Sequence, residues 1–188
     1  MTTQTNDSIV VKLAPAMGIF GATLIGSILF DAYTTVFFGA PDSVLALLKH
    51  LATKNSHIFS FALVSAVVLG ATLHAVLTRL KRTNPASYVV GGALLAVVPA
   101  VLWSEFLMPA KQQSFGPTLD LAIVALGGAV VGALVAHLAR RFTRDIVAGV
   151  AWAKQNPDKA RKVRTIRAVA LTVAATAVLA GVLAAKML

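Results

Sequence analysis

Five apolar runs dominate this sequence, at about residues 13–38, 57–78, 86–108, 118–139 and 166–187, and each reaches or exceeds the roughly 20 residues that cross ~30 Å of hydrocarbon. A backbone crossing lipid must satisfy its own hydrogen bonds, so runs of this kind are expected to be helices. The expected fold is therefore an all-α integral membrane protein, a bundle of five transmembrane helices. Composition agrees, because 57% of the residues are hydrophobic and only 13% charged, about half the charge content of a soluble domain. The 188 residues accommodate five spans with short connections, so residues 1–188 read as one transmembrane domain.

The first run is the longest. About 26 residues make ~39 Å of helix, so it is expected to tilt, or to end near Asp31 with an interfacial turn. Its apolar length is about twice that of a secretory signal and no small-x-small cleavage site follows, which makes it a retained span.

Basic residues set the expected sidedness. Arg79, Lys81 and Arg82 follow the second run, and nine basic residues against two acidic ones lie between Arg140 and Arg167, supplying seven of the chain's ten net positive charges. By the positive-inside rule both segments are cytoplasmic, as is the N-terminus. The loops at 39–56 and 109–117 carry only Lys49, Lys54 and Lys111 and fall outside. Aromatic residues gather at the expected interfaces.

Within the cytoplasmic basic segment 140–165, Phe142, Ile146, Val147 and Val150 share a helical face, so 142–155 is expected as a short amphipathic helix on the membrane surface. Asn156 and Pro157 read as a break and restart, with Asn156 as cap and Pro157 at the first helical position. Arg140, Arg141, Arg144, Lys159, Arg161, Lys162, Arg164 and Arg167 are expected to meet anionic lipid headgroups, at about 1 kcal/mol per basic residue near the surface. Nothing aromatic or motif-like in the segment suggests nucleic acid. The richness in alanine and valine fits a bacterial source, and the expected location is the inner (plasma) membrane.

Small residues recur four apart in every run: Ala22 and Gly26, Ala66 and Gly70, Gly92 and Ala96, Gly128 and Gly132, Ala177 and Gly181. Such pairs let helix backbones approach closely in lipid. "GATLHAVLTRLKR" at 70–82 also resembles "GALVAHLARRFTR" at 132–144, the pattern of two helical hairpins in parallel repeat with a fifth span added. Pro99 falls in the middle of the third run and is expected to kink it.

The chain has no cysteine, which excludes disulfides, thiolate metal sites and cysteine nucleophiles. No nucleophile elbow, phosphate loop or HExxH motif is present, so the reading leans away from an enzyme. His74 and His137 fall near the cytoplasmic ends of spans running in one direction. They are expected as helix-packing residues, and alternatively as axial ligands of a b-type haem. Asp31, Glu105 and Asp120, with His57, cluster at the outer ends of their spans. They are expected to reach water, and are the weak candidates for a metal site or a proton path. No cofactor is expected on the leading reading.

That leading reading is a non-catalytic accessory or scaffolding subunit of a larger inner-membrane assembly, contacting anionic lipids and either other subunits or copies of itself. Two alternatives stand beside it: a bis-histidine haem electron-transfer protein, and a small homo-oligomeric transporter or channel.

Overall fold

The computed structural model describes residues 3–39, 42–106, 115–163, 165, 166 and 172, and among them there is no strand. Helix α1 spans Thr3–Thr34 and passes directly into a π-helical turn, Thr35–Gly39. Helices α2 (Val44–Arg79), α3 (Pro85–Phe106) and α4 (Pro117–Gln155) follow. Four stretches are long and apolar enough to cross a membrane: Ile9–Gly39, Thr53–Arg79, Pro85–Phe106 and Pro117–Gln155. The fifth expected span, 166–187, lies outside the described residues apart from Ile166 and Thr172, as do Ala177, Gly181, Arg164 and Arg167.

The helix ends follow local chemistry. Ser43 caps α2 by accepting, on its Oγ, the backbone N–H of Ala46 at 3.1 Å. Beyond the end of α2, Arg82 N–H donates to the Leu77 carbonyl and Lys81 N–H to that of Thr78, with Lys81 in the left-handed region at φ 55°. This is a Schellman closure with lysine in the usual glycine position. Asn84 accepts from Ser87 N–H at 2.8 Å ahead of Pro85, the first residue of α3. Gly116, at φ +98°, supplies the turn before Pro117 opens α4.

Three expectations change. The interfacial turn at Asp31 is absent, because α1 carries its helical pairing through Thr34 and then widens into the π turn. The segment 39–56 is not a loop throughout, since the Ser43 cap starts α2 at Val44, well before the apolar run. The segment 142–155 is not a separate helix: α4 continues unbroken to Gln155, and no proline falls within 139–155 to stop it. Phe142 lies against α1, where a Cβ added at Gly21 would sit 3.5 Å from its ring. Helical pairing does break at Asn156 and resume at Pro157. The Asn156 side-chain N–H donates back to the Trp152 carbonyl at 3.3 Å, while its own backbone carbonyl accepts Ala160 N–H at 2.9 Å, the first bond of the restarted helix.

The chain divides into two compact units, Pro15–Thr143 and a second made of Met1–Ala14 with Arg144–Leu188. In the second, Ala14 and Ala160 are the buried apolar residues among those described.

Pro15–Thr143 is an up-down-up-down bundle whose antiparallel neighbours can be read from paired contacts. On α1 and α2, Phe20 packs edge-on against Phe59 at 5.3 Å and Asp31 meets His50. On α2 and α3, Phe61 faces Trp103 at 6.0 Å and Leu73 lies over Gly91. On α3 and α4, Gly92 and Ala96 oppose Gly132 while Ala100 opposes Gly128. On α4 and α1, Thr143 and Ala139 oppose Gly18, Val135 and Val131 oppose Gly26, and Tyr33 oppose Gly127. The ring of contacts closes on itself. Its core takes side chains from every helix: Phe30 and Phe38 from the first segment, Ile58 from α2, Ala100 from α3 and Val124 from α4.

The small-residue pairs divide by use. Gly132 and Gly92 bring the α3 and α4 backbones together, since a Cβ at Gly92 would lie 2.6 Å from the Gly132 carbonyl oxygen. Ala22 is fully buried and Gly26 packs on α4. Gly70, by contrast, has nothing within 4 Å of an added Cβ. The resemblance between 70–82 and 132–144 therefore does not extend to what Gly70 and Gly132 touch.

Outward-facing residues such as Val64, Val68, Val90, Leu94, Leu126 and Val130 are more than half exposed, as a lipid-facing bundle surface requires. Among the candidate spans the first is the most enclosed, with 39% of its most apolar window buried against 6% for each of the next two.

Candidate functional site

The enclosure of α1 has a pattern four residues long. Gly18, Ala22, Gly26, Phe30 and Thr34 form one ridge, and Thr23, Ser27, Asp31 and Thr35 form the ridge beside it; all nine are buried. Residues four apart stack on one helix face, so each ridge is a continuous strip. The first is mostly small and lets α4 approach. The second is polar throughout and lies inside a candidate membrane span.

Asp31 is the centre of this polar ridge. It is 1% exposed, and its Oδ1 lies 3.3 Å from Nε2 of His50, a half-buried side chain in the first part of α2. Lys54, one helical turn beyond His50, adds a positive charge within electrostatic reach. The second carboxylate oxygen, Oδ2, is buried with no hydrogen-bond partner among the described residues. Eight residues separate Asp31 from the end of its span at Gly39, about 12 Å of helix at 1.5 Å per residue. At 1% exposure the carboxyl group does not itself reach water, contrary to the expectation from sequence.

The hydroxyls beside it fall into two kinds. Ser27 donates to the Leu24 carbonyl at 3.0 Å and Thr34 to that of Asp31 at 3.1 Å, the ordinary back-bonding of helical hydroxyls. Thr23 and Thr35 leave their buried Oγ1 atoms unpartnered, although Thr72, Thr78 and Thr143 all back-bond four residues upstream. Thr35 also opens the π-helical turn, a distortion that recurs at functional positions in helices. On α2, Asn55 adds another buried oxygen without a partner. Unpaired buried polar atoms each carry a desolvation penalty of about 1–3 kcal/mol, so their concentration on one ridge calls for a function.

The other expected acids sit differently. Asp120 is 6% exposed at the start of α4, where Oδ1 accepts Phe115 N–H at 3.2 Å and Oδ2 is unpartnered. Glu105 and His57 are exposed. The structure brings Asp31 together with His50, not with Glu105, Asp120 or His57, and no group of three metal-ligating residues occurs among the described residues.

At the opposite end of the bundle, His74 Nδ1 lies 2.5 Å from the Tyr88 hydroxyl, and the Arg140 guanidinium stacks over the Tyr88 ring at 4.8 Å. His137 is exposed on α4. His74 is therefore engaged with α3, and no contact joins it to His137 among the described residues.

Comparison with protein families, with curated proteins and with solved structures returned no match. The chemistry of the site is thus argued from its residues alone.

Proposed function

We propose that this protein conducts protons across a bacterial inner membrane, as a five-span protein with a cytoplasmic N-terminus, and that Asp31 and His50 form its exchange pair. The observation that carries the reading is Asp31 itself, a carboxyl group 1% exposed inside an apolar span with one oxygen on an imidazole and the other unpartnered. An ionisable group held inside a membrane protein is expensive and marks ion or proton pathways. Imidazole and carboxyl groups in contact can hand a proton between them near neutral pH. The hydroxyls of Thr23, Ser27 and Thr35 extend that polar strip along α1.

The test is flux in proteoliposomes. With a potassium diffusion potential imposed and a pH-sensitive dye inside, the wild type is expected to acidify the lumen and Asp31→Asn to fall to the rate of empty vesicles. Wild-type flux at the empty-vesicle rate, or full flux in Asp31→Asn, overturns the reading.

The accessory-subunit reading has one observation in its favour, the uncovered face of α2 around Gly70. Small residues on an open face admit a second helix closely. A cysteine at position 70 that cross-links to no neighbour, in membranes from the native host, removes that reading.

A further inference from the structure

The end of the bundle away from Asp31 carries a second polar cluster that proton conduction does not use. Tyr88 on α3 is its pivot. Its hydroxyl is shared with His74 on α2, and its ring supports the guanidinium of Arg140 on α4. Three helices thus fix three side chains at one point. The tyrosine hydroxyl and Nδ1 of His74 share one hydrogen bond, which fixes one edge of the exposed imidazole. Stacking on the ring fixes the guanidinium plane. Its Nη1 is buried and has no acceptor among the described residues.

The charges of this unit near the cluster are basic, and Asp145, four residues past Arg141 on α4, belongs to the other unit. Within Pro15–Thr143 the acidic residues are Asp31, Asp42, Glu105 and Asp120, all at the other end of the bundle. Arg79, Lys81, Arg82, Arg140 and Arg141 lie at this end. A guanidinium held flat on a ring, with a buried Nη1 that lacks an acceptor among the described residues, and an exposed imidazole on the same tyrosine form a receptor for an oxyanion, and a guanidinium fork matches phosphate.

We infer that Arg140 and His74, both held by Tyr88, bind one phosphate group, whether a lipid headgroup's or a free phosphate ion. The three residues form a discrete site, distinct from the general attraction of a basic surface for anionic lipid.

The test uses the full chain in nanodiscs of phosphatidylcholine, with phosphatidylglycerol titrated in and retention read by native mass spectrometry. A second arm titrates inorganic phosphate. Preference for the anionic lipid is expected to fall about fivefold in Arg140→Gln, the worth of one basic contact. Arg82→Gln, which removes an equal charge at the same end but no ring-held guanidinium, is expected to lose clearly less. Arg140→Lys retains charge and loses the fork, and is expected to bind like Arg140→Gln. Tyr88→Phe keeps the ring and releases His74, and is expected to fall between. Displacement of the lipid by millimolar phosphate identifies a free-ion site, and resistance to it identifies a headgroup site. Equal losses in Arg140→Gln and Arg82→Gln, or no preference in the wild type, overturn the inference. If Arg140→Gln does not fold, Arg140→Lys and Tyr88→Phe decide alone, and wild-type preference in both overturns it.

Discussion

Asp31 and His50 meet at 3.3 Å between two helices, and the histidine is the only ion-pair partner of that carboxyl group among the described residues. Removing one member of a buried pair is worse than removing both, because the survivor keeps its desolvation penalty. His50→Ala is expected to destabilise by about 3 kcal/mol, and the double variant with Asp31→Asn to regain much of that loss. Denaturant unfolding in detergent, followed by tryptophan fluorescence, reads both. Equal stability of His50→Ala and wild type contradicts the pairing.

Thr23 separates stability from function. Its hydroxyl is buried and unpartnered, so Thr23→Val removes a polar group without changing shape. Stability is expected to rise by about 1 kcal/mol while proton flux falls. A loss of stability in Thr23→Val means that the hydroxyl has a structural partner.

The α3–α4 crossing tolerates no side chain on its glycines. A Cβ at Gly132 would meet Ala96 and the Gly92 carbonyl, so Gly132→Ala must push two backbones apart and is expected to cost about 1–3 kcal/mol. Gly70→Ala, on an open face, is expected to be neutral or mildly stabilising. Thermal unfolding by circular dichroism compares the two, and equal effects contradict the crossing.

Tyr33 pins α1 to α4. Its hydroxyl donates to the Ile123 carbonyl at 2.8 Å, and its ring fills the space left by Gly127. Tyr33→Phe keeps the filled groove and loses one hydrogen bond, an expected loss of about 1 kcal/mol. Gly127→Ala is expected to cost more, since the ring itself must move. The same unfolding assay orders the two variants.

Much of this architecture was legible because it depends on local pattern. Apolar length marks the four described spans, and Gly92 with Ala96 and Gly128 with Gly132 announce a close crossing before any partner is known. The polar ridge was equally visible, as Thr23, Ser27, Asp31 and Thr35 at intervals of four, but it escapes a reading that looks for small pairs alone. His50 could not be found that way. It lies outside the apolar run, and its approach to Asp31 depends on α2 starting at Val44, a boundary set by the Ser43 cap. The burial of Asp31 is hidden for a related reason: hydropathy measures distance along the chain, whereas burial depends on which neighbours close over the helix. The cluster at Tyr88 needs three helices in register, which no single segment encodes.

The order of synthesis runs against the order of these contacts. α1 is made first, yet Tyr33 must wait for a carbonyl 90 residues downstream, and Asp31 for a histidine on the next helix. Until α4 arrives, the polar ridge is only partly enclosed, by α2, and the small ridge has nothing to pack on. Of these four helices, the earliest made is thus among the last to be secured. Truncations ending before Pro117 are expected to leave it exposed to membrane quality control.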